Sequence, residues 1–115
     1  METKISKNDD DVYLVDLSGA LDLYSANELK ELVIRMIEKK AEKFVINLKN
    51  VDSINSAGIG ALIYVSSTLK KLSCPLVIIA PEGPALQALE LTRLTGYFRI
   101  VPTLKEAAAL TSDLP

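Results

Sequence analysis

Two short apolar runs, Phe44-Val45-Ile46-Asn47-Leu48 and Leu76-Val77-Ile78-Ile79-Ala80, constrain this chain more than any other feature. Each is too short for a helix with a full packing stripe, and each is nearly continuous rather than alternating. That is the pattern of a strand covered on both faces in a parallel sheet. Parallel neighbours need crossover connections, usually helical. The segment between the runs supplies one: from Ser56, Ile59, Leu62, Ile63, Leu69 and Leu72 make a packing stripe that Pro75 ends near Ser73. Residues 49–55, between the first run and this helix, read as a loop.

The flanks extend the alternation. Residues 3–7 and 12–18 read as an opening hairpin around Asn8-Asp9-Asp10-Asp11, with a short edge strand first and Tyr13, Val15 and Leu17 sharing one face of the second. Ser25 and Glu28 form a capping box before Ala26, Leu29, Leu32, Val33, Met36 and Ile37, which recur at helical spacing to about Lys40. On its outer side Glu31 and Arg35 stand one turn apart as a favourable pair. Pro84 suits a first helical position before Ala85, Leu86, Leu89 and Leu91, with Gly96 as the C-terminal cap. Residues 98–101 read as a short strand, Thr103 and Glu106 as a second capping box for a helix through Leu110, and residues 111–115 as a frayed tail. The order β-β-α-β-α-β-α-β-α calls for an α/β fold with a mainly parallel sheet.

Composition narrows the function classes. At 115 residues and 49% hydrophobic, the chain fits one domain, residues 1–115, with a core that needs neither metal nor disulfide. A net charge of −2, no Trp and few other aromatics make nucleic acid a poor partner. With no His and Cys74 as the one thiol, the usual zinc sets and a Ser-His-Asp triad are excluded. Residues 1–11 are polar and lack the apolar stretch of a signal peptide, and no apolar run approaches the ~18 residues of a membrane span. A cytoplasmic protein without direct membrane insertion is expected. Cys74 and Met36 read as apolar filler, and the pairs Lys39-Lys40 and Lys70-Lys71 as solvated helix ends.

Chemistry is sought where a buried strand passes into a helix, at the carboxyl end of the sheet. There lies Asn55-Ser56-Ala57-Gly58-Ile59-Gly60. Amide groups just after Ser56 sit at the positive end of a helix and favour a phosphate, and Gly58 and Gly60 keep the approach open. The alternative is that Ser56 or Asn55 is only an N-cap and the small residues serve packing. Gly58-Ile59-Gly60 matches only two glycines of the dinucleotide fingerprint, and the phosphate-loop and nucleophile-elbow patterns are absent. A Ser-Lys dyad of Ser56 with Lys49 is conceivable, though a solvated lysine is the simpler reading. Asp9 to Asp11 precede their strand rather than follow it, so they read as a hairpin turn and not an acidic pocket. Asp22 and Tyr24, between the second strand and the first helix, emerge on the same rim as Ser56; Asp22 alternatively bonds local backbone.

On these residues the chain resembles the STAS domain family and, within it, the stand-alone bacterial anti-sigma factor antagonists. The resemblance is carried by Leu17-Ser18-Gly19-Ala20-Leu21-Asp22 with Ser25 and Leu29, by Phe44-Val45-Ile46-Asn47-Leu48, and by Val51-Asp52-Ser53-Ile54-Asn55-Ser56-Ala57-Gly58-Ile59-Gly60-Ala61-Leu62; residues 94–110 are similar to the family's last strand and helix. Its most specific part has the pattern Asp-Ser-Ser/Ala-Gly-Leu/Ile-Gly, so Asn55 stands where the family usually has Asp.

The resemblance implies a STAS fold: a mixed, mostly parallel sheet of four to five strands with about four helices. It implies a non-enzymatic regulator without cofactor or metal, in which Ser56 is phosphorylated by a partner that is both a serine kinase and an anti-sigma factor. A phosphoserine phosphatase reverses the modification, and the unphosphorylated form binds the kinase and frees the sigma factor. Asp22, Tyr24, Asn55, Ala57, Gly58, Ile59 and Gly60 are then the expected phosphosite surroundings and partner contacts. Asn55 keeps a second reading open, a STAS subunit of a lipid or other membrane-transport complex or of a stress-signalling assembly that does not use Ser56 phosphorylation. A third, from another class, is a small phosphate-ligand or nucleotide-binding enzyme of flavodoxin-like architecture.

Overall fold

The alternation expected from the apolar runs is the architecture observed. The structure, a computed structural model, describes residues 1–112. Among them the chain runs β1 (Glu2–Lys7), β2 (Val12–Leu21), α1 (Leu23–Glu38), β3 (Lys43–Ile54), α2 (Ser56–Lys71), β4 (Leu76–Ile79), α3 (Pro84–Leu91), β5 (Ile100–Val101) and α4 (Leu104–Ser112). The five strands form one sheet in sequence order. β1 runs antiparallel to β2 and each later pair is parallel, which is the mixed, mostly parallel sheet the sequence implied.

A strand order that never reverses sends every right-handed crossover to the same side of the sheet. Accordingly, α1, α2 and α3 bury Leu29, Val33, Leu62, Val65, Leu69 and Leu89 against one face, where they meet Val15, Leu17, Phe44, Ile46 and Leu48. On the other face Ala107 and half-buried Leu110 of α4 meet Val12, Val45, Val77 and Ile79. Successive residues of β3 thus point into different layers, which is why that run shows no alternation.

Several local expectations need correction. The cap of α1 is Asp22 and not Ser25: the Asp22 carboxylate accepts from the Ser25 amide at 3.1 Å while the Ser25 hydroxyl accepts from the Asp22 amide at 2.7 Å, so serine takes the place that Glu28 was expected to fill. Residues 49–54 are strand rather than loop. β3 carries two register shifts against β2, opposite Asp16/Ser18 and Gly19/Ala20, and its exposed Lys49, Asn50, Asp52 and Ser53 hide the strand from a hydrophobic pattern. Leu72 and Leu91 are 52% and 86% exposed, because each lies at the very end of its helix, past the last packed turn. Gly96 caps nothing. α3 ends at Leu91 with Thr92 as its cap, and Arg93 turns the chain at φ 59, a conformation glycine more often adopts. β5 comprises only two of the four expected residues. Glu31 and Arg35 do not pair; the ion pair found among the described residues is Lys7–Asp11 at 3.6 Å. Thr111 is not frayed, since its buried hydroxyl donates to the Ala107 carbonyl at 2.9 Å; residues 113–115 lie outside the described part. The hairpin turn is as expected, with the Asn8 side chain accepting from the Asp10 and Val12 amides.

Candidate functional site

Two strands outrun the rest of the sheet. β3 leaves β4 at the pair Asn47↔Ile79, whereas its pairing with β2 continues to Leu21↔Ile54. The end of this two-stranded extension is where α1 and α2 begin, each one residue after its strand, so their caps Asp22 and Asn55 are neighbours by register. The Asn55 amide donates to the Leu21 carbonyl at 3.3 Å, tying the two starts together. Both caps have extended backbone, with φ −110, ψ −165 for Asp22 and φ −94, ψ −176 for Asn55.

The Asn55 side chain accepts from the Gly58 amide at 3.1 Å, and its carbonyl accepts from Ile59 at 3.0 Å. Asn55 is therefore the cap, and Ser56 is the first helical residue. Ser56 is exposed, and among the described residues its hydroxyl makes no hydrogen bond. The amides of Ser56 and Ala57 have no acceptor within the helix, so the partial positive charge of the helix start is open to solvent there. An anion attached to Ser56 would lie at this end.

The other expected site residues separate into two groups. Gly58 and Ile59 are buried, and Ala57 is half-buried against the core. Gly58 has no room for a side chain: a Cβ would come within 2.4 Å of the Leu21 carbonyl oxygen and 2.9 Å of both Leu21 Cγ and Ile54 Cγ2. Its smallness lets α2 press onto the end of β2, and does not open an approach for a ligand. Gly60, two residues on, has open space where a Cβ would go and is exposed. Tyr24 lies inside α1 rather than before it and is 82% exposed.

Asp22 is committed to α1. Its carboxyl is held below the ordinary value by the hydrogen bond from the Ser25 backbone and then by that from the Ser25 hydroxyl; burial opposes these two, and the Tyr24 amide adds a weaker lowering effect. Asp22 therefore stays ionised near neutral pH, and the rim already holds one negative charge.

Sequence reasoning missed Leu23, which is 62% exposed in the first turn of α1 beside Tyr24. It stands three residues before Ala26 and so counts as a core position by spacing alone. The start Leu23-Tyr24 immediately after a capping Asp was the available signal. Lys49 is exposed and its amide donates to the Asn47 side chain at 3.0 Å; no contact between Lys49 and Ser56 supports a dyad. Asp9 to Asp11 precede β2, so they sit at the opposite end of the sheet from Ser56. Among the described residues no group of three His, Cys, Asp or Glu could hold a metal ion, and no helix is long and apolar enough to cross a membrane.

The model of the STAS domain family matches residues 3–107. An anti-sigma-B factor antagonist of Staphylococcus epidermidis is 36% identical over 64 residues, which are 56% of this chain and 56% of that protein, so the match spans little more than half of either. A solved anti-sigma factor antagonist from Mycobacterium paratuberculosis is 25% identical and superposes with a TM-score of 0.87 over 97% of this chain and 94% of its own. The Bacillus cell fate determinant SpoIIAA in its phosphorylated form shares the fold, with a TM-score of 0.71 at 15% identity over 95% of this chain and 98% of its own.

Proposed function

The chain belongs to the STAS domain family, and on that premise we propose that it is a non-enzymatic anti-sigma factor antagonist acting by partner switching. Unphosphorylated, it binds an anti-sigma factor that is also a serine kinase and so frees the sigma factor. Phosphorylation of Ser56 releases the complex, and a phosphoserine phosphatase restores binding. The observation that carries the reading is the state of Ser56: an exposed first residue of α2, with a free hydroxyl and two helix-start amides that Asn55 leaves unclaimed.

A phosphoryl group there brings about −1.5 to −2 charges. The α2 dipole stabilises it locally, by roughly 0.3–1 kcal/mol for an exposed anion in the first turn. Toward a partner the same charge acts the other way, because an unpaired anion within a contact surface costs several kcal/mol. The second effect is larger, so modification leaves the fold intact and breaks the complex. Asn55 in place of Asp does not impair the cap, since the two rank together as N-caps. The rim also suits a protein better than a small ligand. Open α/β sheets bind small molecules where the strand order reverses, and the order β1-β2-β3-β4-β5 has no reversal.

Incubation with ATP and the anti-sigma kinase of the same cell, read by intact-mass and fragment spectra, tests the assignment. One phosphate on Ser56 is expected, and modification mainly at Ser53 or Thr68 overturns it. Copurification with membrane transporter subunits in place of an anti-sigma protein would replace this reading with one of a transport-complex subunit.

A further inference from the structure

We infer that the free edge of the sheet at β1 joins a second copy of this chain, antiparallel and centred on Thr3, to form a continuous ten-stranded sheet. The two edges are unequal. β5 offers two residues followed by Pro102, whereas β1 offers six, all exposed. An edge strand turns half of its amides and carbonyls away from its own sheet, and a long uncovered edge is a template for another strand.

The partner is chosen by complementarity. Pairing two copies of one edge in an antiparallel sheet requires a twofold axis perpendicular to the sheet, so facing residues lie on the same side and differ by an even number. Three registers keep most of β1 paired. Centred on Lys4, the strand sets Lys4 against its own copy, which is repulsive. Centred on Ile5, it sets Ile5 against its own copy, Lys7 against Thr3, Lys4 against Ser6 and Glu2 against Asn8, which gives one apolar pair and no ion pair. Centred on Thr3, it sets Glu2 against Lys4 twice, Met1 against Ile5 twice and Thr3 against itself.

This third register also respects the two faces of the sheet. Thr3 and Ile5 pair within the chain with Leu17 and Val15, whose side chains lie under α1, α2 and α3. Met1 and Ile5 are therefore on that face, where Met1 already packs against the core and Ile5 is 47% exposed. Glu2 and Lys4 pair with Ser18 and Asp16 on the α4 face. The dimer would thus cover an exposed isoleucine on one face and form two ion pairs on the other. Both surfaces belong to β1 and neither involves Ser56, so the association stands or falls independently of the phosphorylation.

Charge exchange tests it. The single variants Glu2→Lys and Lys4→Glu each turn both cross-strand attractions into repulsions, and the double exchange restores them. Sedimentation equilibrium of the wild-type chain from 10 µM to 1 mM should show a monomer–dimer equilibrium. Each single variant should raise the dissociation constant roughly tenfold, and the double variant should return it to within about threefold of wild type. An equimolar mixture of the two single variants should associate more tightly than either alone. Glu2 faces Ser18 within the chain, so thermal unfolding of Glu2→Lys at low concentration should be unchanged and separates association from folding, whereas Lys4→Glu faces Asp16 and should unfold slightly earlier. A wild-type chain that stays monomeric to 1 mM, or a dimer indifferent to the exchanges, overturns the inference.

Discussion

Two glycines two residues apart in α2 should answer the same substitution with opposite signs. At Gly58 a methyl group meets the Leu21 carbonyl oxygen at 2.4 Å, and that atom belongs to backbone paired with β3 at Ile54 and already accepting from the Asn55 amide at 3.3 Å. It cannot swing aside as a flexible side chain would. Overpacking of this kind costs about 1–3 kcal/mol, and the contact with backbone places Gly58→Ala toward the upper end. Removing a glycine from a helix returns up to ~1 kcal/mol, and less in the first turn. The net loss is ~2 kcal/mol. At Gly60 nothing lies within 4 Å of the added Cβ, so only the helical gain remains, ~0.5–1 kcal/mol. A chain of this size shifts its Tm by roughly 4 °C per kcal/mol. Thermal unfolding followed by circular dichroism should therefore fall by ~8 °C for Gly58→Ala and rise by ~2–4 °C for Gly60→Ala. If Gly58→Ala unfolds within ~2 °C of wild type or above it, α2 does not press onto Leu21 and the packing role given to Gly58 is wrong.

Other expectations follow from the caps and the thiol. Asn55→Ala should cost about 1 kcal/mol by denaturant titration, since the Gly58 amide loses its acceptor, whereas Asn55→Asp should be at least as stable as wild type. If the family's usual carboxylate aids phosphate transfer, Asn55→Asp also raises the rate of Ser56 phosphorylation in a timed kinase assay; an unchanged rate marks Asn55 as a neutral cap. Because the folded pKa of Asp22 is depressed, its contribution to stability is present above the unfolded value of about 4 and is lost as pH falls through the folded pKa. Asp22→Asn should consequently lower stability at pH 7 and flatten its decline below pH 4, as read from Tm against pH. Burial first, and the nearby Glu42 charge second, push the Cys74 thiol up, so alkylation at pH 8 should run slower than for a free cysteine and speed up in Glu42→Gln.

Much of the fold was legible because packing writes itself into hydrophobic spacing. The runs at Phe44 and Leu76 became β3 and β4, and the stripe from Ala26 to Met36 became the buried side of α1. What the pattern could not show was strand in which two isolated apolar residues, Val51 and Ile54, stand among exposed polar ones. Residues 49–54 are held by pairing with β2 through two register shifts, and their polar side chains face outward. Helix ends were misjudged for a related reason: periodicity continues into Leu72 and Leu91, but the sheet beneath does not. At the site, the position of Ser56 was readable from the capping residues around it. The division of labour between Gly58 and Gly60 was not, since one glycine is defined by a carbonyl 37 residues away in sequence and the other by open solvent.

Calorimetric titration of the purified anti-sigma partner with three forms of this chain tests the switch most directly. The unphosphorylated wild type and Ser56→Ala should bind within about threefold of each other, because loss of one exposed hydroxyl removes little. The Ser56-phosphorylated form should bind at least ~100-fold more weakly, in line with several kcal/mol for an unpaired charge in a contact surface. Ser56→Asp should fall between them, since it carries one negative charge against about −1.5 to −2 for the phosphoserine. If Ser56→Ala, still folded, loses binding as severely as the phosphorylated form, Ser56 is a contact residue and not a charge switch; if phosphorylation leaves the affinity unchanged, partner switching at this serine is contradicted outright.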